Sequence, residues 1–75
     1  MKLRDALQAL LFSNVSIFFD DTKRQYQPTR KFDETGRKYL EVLAPRTLNY
    51  KVTKILPTAF GYANVHIVKE IENEH

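Results

Sequence analysis

Seventy-five residues, no cysteine and a formal charge of +3 describe one small domain (1–75) with no disulfide framework and no thiolate metal site. The apolar and charged fractions, 43% and 28%, belong to a folded chain rather than a disordered one. The longest mostly apolar stretch, Leu10 to Phe19, is interrupted by Ser13, Asn14 and Ser16 and is too short to span a bilayer, and Asp5 and Gln8 interrupt any signal-peptide core, so the chain reads as cytoplasmic with no membrane partner.

Lys2 to Phe12 reads as a helix, because Leu3, Leu7, Leu10 and Leu11 fall on one face at helical spacing while Arg4, Asp5 and Gln8 fall off it. Ser13-Asn14 is a stop signal, since Asn tolerates the left-handed cap conformation. Val15 to Phe19 reads as a strand with Val15, Ile17 and Phe19 on one side. Asp20 to Lys23 is a turn, and Arg24 to Gln27 a returning strand that Pro28 confines to an edge or a bulge.

Asp33 to Gly36 is a second turn signal. Arg37 to Leu43 fits either a strand or a short helix, and Gly36 before it and Pro45 after it tilt the reading to strand. Pro45 to Asn49 is a turn with room for one helical turn. Tyr50 to Leu56 is a strand placing Tyr50, Val52 and Lys54 on one face, Pro57 to Tyr62 a loop, and Asn64 to Ile71 the last strand with Val65 and Ile67 inward. Residues 72–75 read as a frayed tail. The expected fold is α+β: an N-terminal helix packed on a small, mostly antiparallel sheet of about four strands. A core of this size supplies roughly 3–5 kcal/mol, and pairing two copies into a homodimer is one way to add to it.

Charge is unevenly distributed. Between Thr22 and Lys54 lie nine cations and three acids, whereas both flanks are net negative. Tyr26, Phe32, Tyr39 and Tyr50 are interleaved with those cations. Cations release counterions from phosphates and aromatic faces stack on unpaired bases, so Arg30, Lys31, Arg37, Lys38 and Lys51 are candidate nucleic-acid contacts. An acidic protein would meet the same residues, and the plainer reading is a solvated sheet face with its aromatic residues turned inward. In Phe60-Gly61-Tyr62 a flexible residue is flanked by two large rings, which makes Phe60 and Tyr62 candidate contacts for a protein partner or caps on a small core.

Sites for chemistry are sparse. His66 alternates with Val65 and Ile67 and points away from their face, and it reads as an ordinary strand histidine. Asp20-Asp21 reads as a turn rather than a cation site. Ser13 and Ser16 lack a nucleophile elbow, and Gly36 and Gly61 stand apart instead of forming a phosphate loop. The expectation is a non-enzymatic chain with no catalytic or metal residues and no cofactor.

Met1-Lys2-Leu3-Arg4-Asp5-Ala6-Leu7, Val15-Ser16-Ile17-Phe18-Phe19-Asp20-Asp21, Leu48-Asn49-Tyr50-Lys51-Val52-Thr53-Lys54-Ile55 and Val65-His66-Ile67-Val68 together resemble short proteins encoded by bacteriophages and prophages. These pieces cover under half of the chain, and the basic middle departs from the more acidic pattern of that group. The resemblance implies a class of roles and no functional residues: binding a host factor, modulating a host defence, or assisting phage DNA metabolism. The sequence thus points to a small interaction module that binds a host or phage protein, with nucleic-acid binding through the basic 23–54 segment as the alternative.

Overall fold

Among the described residues, three helices lie on one side of a mixed five-stranded sheet, and the core fills the space between them. A computed structural model describes residues 1–71, so the frayed tail expected at 72–75 lies outside the described residues. In chain order the elements are α1 (Leu3–Ala9), β1 (Asn14–Phe19), β2 (Gln25–Tyr26), β3 (Glu34–Thr35), α2 (Gly36–Val42), α3 (Pro45–Leu48), β4 (Tyr50–Ala59) and β5 (Tyr62–Ile71). The fold is α+β, as expected.

The main sheet path runs β2-β1-β5-β4, and β3 pairs with β1 beside β2. Three of the four strand pairings are antiparallel, but the central one is not: β1 and β5 run parallel, with Asn14 opposite Tyr62 and Phe19 opposite Ile67. A parallel pair needs a long crossover. Here the crossover contains α2, α3 and β4, so helices cover the sheet where the sequence reading had α1 alone.

Alternation on the central strands matches the expectation. Val15 and Ile17 on β1 and Val65 and Ile67 on β5 are fully buried, facing Leu3, Ala6 and Leu7 of α1 and Tyr39 of α2. Helix α1 is shorter than expected and closes at Leu10, whose amide bonds to the Leu7 carbonyl. That leaves Phe12 outside the helix.

Arg37–Leu43, read as a strand, is helical over Gly36–Val42. Two local features account for the difference. Thr35 is an N-cap whose Oγ1 accepts a hydrogen bond from the Lys38 amide at 3.2 Å. Gly36, Tyr39 and Leu43 are all buried, the spacing of one helical face. Pro45 does not oppose this helix, because Leu43 and Ala44 are already extended and Pro45 begins α3. The expected turn at Asp33–Gly36 holds β3 and the start of α2 instead.

Two further corrections fall on β4. Pro57 to Ala59, read as loop, continues the strand opposite Ala63 and Tyr62. A proline fits there because β4 is an edge strand with one side free of ladder bonds. Tyr50, Val52 and Lys54 do not share a face. A register shift between Val52 and Lys54 puts Lys54 opposite His66, and Ile55 joins Tyr50 and Val52 against the core.

Candidate functional site

Two chain segments without a single charged residue, 10–19 and 55–65, run side by side, and the stretch before β1 meets the β4–β5 turn at one end of the sheet. The parallel pairing of β1 with β5 and the β4–β5 hairpin bring them side by side, and the Asn14 amide donates to the Gly61 carbonyl at 2.8 Å. The hairpin turns through Phe60 and Gly61, with Gly61 at φ +77°, a left-handed conformation that favours glycine. Phe60 projects from this turn fully exposed, and Phe12, two residues before Asn14, is 83% exposed. Tyr62 and Leu56 are also exposed. The rings of the Phe60–Tyr62 loop therefore do not cap the core. Large apolar side chains concentrated on an uncharged end make a surface suited to an apolar partner.

The candidate cations are dispersed. Arg30 and Lys31 lie exposed between β2 and β3, and the Lys31 ammonium sits 3.7 Å from Glu34. Arg37 and Lys38 lie exposed in the first turn of α2, where Arg37 meets Glu41 at 3.7 Å. The Arg37 amide donates to the Leu11 carbonyl, so this residue flanks the uncharged end. Lys51 stands apart from the α2 pair: it is opposite Val68, on the side of the sheet away from the helices.

That far side carries a group the sequence reading did not assemble. Asp20 Oδ1 lies 3.5 Å from Lys23 Nζ, 3.5 Å from His66 Nδ1 and 3.9 Å from Lys54 Nζ. The imidazole stacks on Phe18, with ring centroids 5.4 Å apart. Its Nδ1 is buried without an aligned hydrogen bond. The two lysines offset the charge of the Asp20 carboxylate. Asp20 and His66 are far apart in sequence, and only the parallel pairing of Phe18 with His66 brings them together.

Among the described residues one titratable group, Tyr39, is strongly perturbed. Tyr39 is fully buried, and its phenol is pushed up to about 12, chiefly by burial, with a backbone contact from Glu34 opposing the rise and the charges of Asp33 and Glu34 adding to it. Its hydroxyl lacks an aligned hydrogen-bond partner.

Among the described residues no three His, Asp or Glu side chains converge as metal ligands, and no helix is long and apolar enough to cross a membrane. Compared with protein-family models, curated proteins and solved structures, the chain matches none.

Proposed function

We propose that this chain is a small non-enzymatic interaction module that binds another protein through its uncharged end, with Phe60 and Phe12 as the inserting side chains and Tyr62 and Leu56 around them. One observation carries the reading: the two charge-free segments lie together and leave Phe60 and Phe12 almost wholly in water. Aromatic anchors dominate protein interfaces because they bury large area with few rotatable bonds. The partner is a protein with an apolar pocket, of the host or phage class that the sequence resemblance implies.

The test compares two variants in a capture experiment. F12S/F60S changes only exposed side chains, and it is expected to keep the fold and lose the partner. R30E/K31E/R37E/K38E is expected to retain it. Capture that survives F12S/F60S and fails on charge reversal would overturn the aromatic reading.

Nucleic-acid contact is the second reading, favoured by one loop in which exposed Arg30 and Lys31 adjoin exposed Phe32. It predicts oligonucleotide anisotropy that saturates at near-physiological salt, whereas binding confined to low salt speaks against it.

A further inference from the structure

On the helix side of the sheet, at the end opposite the hairpin turn, a half-open cleft of about 630 Å³ lies beyond the edge of the core. Its floor is an aromatic pair. Phe19 ends β1 and Tyr26 ends β2, and their rings lie 5.3 Å apart at 46°. Lys69 follows Val65 and Ile67 on the same side of β5, and its ammonium stands over the Phe19 ring, 5.0 Å from the centroid. Arg24 lines the cleft from the β1–β2 turn.

The wall is well held. The Phe19 amide donates to the Arg24 carbonyl and the Lys23 amide to the Phe19 carbonyl, each at 2.8 Å, with Lys23 at φ +61° closing the turn. Asp21, the one acid in the lining, is engaged locally, its Oδ1 accepting from the Thr22 amide at 2.8 Å. Among the described residues neither Arg24 nor Lys69 enters an ion pair, although Lys23, Lys31, Lys54 and Arg37 each do. The cleft thus combines an aromatic floor with two cations that have no anionic partner among the described residues, in a volume typical of small-molecule sites.

We propose that this cleft binds a nucleoside monophosphate, with the base against Tyr26 and the phosphate between Arg24 and Lys69. The guanidinium presents paired donors to phosphate oxygens, and the ammonium adds a second charge from a different strand. Tyr26 is the platform for the base, since Lys69 stands over Phe19; stacking on an aromatic ring accepts any base. The open side of the cleft leaves the sugar in water. The same chemistry suits a free nucleotide or the 5′-phosphorylated end of a strand.

Amide and side-chain NMR during titration with adenosine 5′-monophosphate reads the site directly. Saturable shifts are expected at Phe19 to Tyr26 and at Lys69, with adenosine alone and inorganic phosphate alone each binding at least about tenfold more weakly, as expected when base and phosphate both contribute. R24E/K69E alters two exposed side chains and is expected to weaken binding by at least about tenfold with circular dichroism unchanged, since it replaces both phosphate contacts by repulsion. A 5′-phosphorylated tetranucleotide that binds as tightly as the monophosphate assigns the cleft to strand ends; weaker binding assigns it to free nucleotide. Lack of saturable shifts, phosphate alone binding as well as the nucleotide, or full binding by R24E/K69E would each overturn the proposal. F12S/F60S should bind the nucleotide normally, so failure here and failure of the protein-partner reading are separate results.

Discussion

The amide of Gly36 donates to the carbonyl of Leu10 at 3.2 Å, and the two backbones approach too closely for any side chain to fit between them. A Cβ at residue 36 would run into that same Leu10 oxygen and come within 2.6 Å of the Leu7 carbonyl oxygen. Backbone oxygens cannot swing aside as a flexible side chain does. The close approach also lets Gly36 donate to Ser13 and Arg37 to Leu11, which ties the start of α2 to the end of α1.

Gly36→Ala is therefore expected to destabilise the domain by about 3 kcal/mol, most of what a core this size supplies. Urea denaturation should show a much lower midpoint. Gly61→Ala is the control: nothing lies within 4 Å of its Cβ position, so the cost is the positive φ alone, about 1 kcal/mol. Equal losses at the two glycines would contradict the packing argument.

Thr35→Ala removes the side-chain oxygen that caps α2. A loss of about 1 kcal/mol is expected, with Thr35→Ser recovering most of it. The helical circular dichroism signal should fall in step if the cap sustains α2.

Alkaline unfolding tests Tyr39. Its folded-state value, about 12, lies above the ordinary 10, so the folded protein holds this proton more tightly than the unfolded chain does. Stability from this group is complete below pH 10 and declines as pH rises from 10 to 12, by up to roughly 3 kcal/mol. Tyr39→Phe deletes the titrating group and an unpartnered buried hydroxyl. It should leave stability at pH 7 unchanged or higher and flatten the alkaline decline; a decline identical to wild type would assign it to other groups.

Asp20→Asn leaves Lys23, Lys54 and His66 grouped around a neutral side chain. The lysine ammoniums are substantially exposed, so the expected loss is under about 1 kcal/mol and should shrink further in high salt. A larger, salt-independent loss in thermal melts would mean that Asp20 supports the sheet in some other way.

Strand-level features were readable from the chain wherever one face was buried and the other was not. Val15 and Ile17 on β1, and Val65 and Ile67 on β5, declare their inward face by alternation alone. Reading failed where local signals competed. At 37–43 the breaker signals of Gly36 and Pro45 compete with the helical spacing of Gly36, Tyr39 and Leu43 and with Thr35 in the capping position, and the helix wins. In β4 a bulge inverted the face of Lys54, and no local residue pattern announces a register shift. Phe60 and Tyr62 stood out as two rings flanking a turn glycine, but the sequence left open whether they are exposed or cap the core; they are exposed. Phe12 was hidden inside an overlong helix. The neighbours of Asp20, and the presence of Arg24 and Lys69 in the lining of one cleft, depend on β1 lying beside β5, which sequence alone did not indicate.

That pairing also governs how the domain comes into being. Each residue of β1 meets a partner about fifty positions later in the chain, so the central ladder closes last during synthesis. Until β5 leaves the ribosome, Val15 to Phe19 is an uncharged β-prone segment with an open edge, the kind of stretch that recruits other chains. Non-local pairing of this sort slows folding relative to a helical protein of equal length. The time between emergence of β1 and arrival of β5 is thus the interval in which the newborn chain is most prone to aggregate, and a faster-elongating ribosome would shorten it.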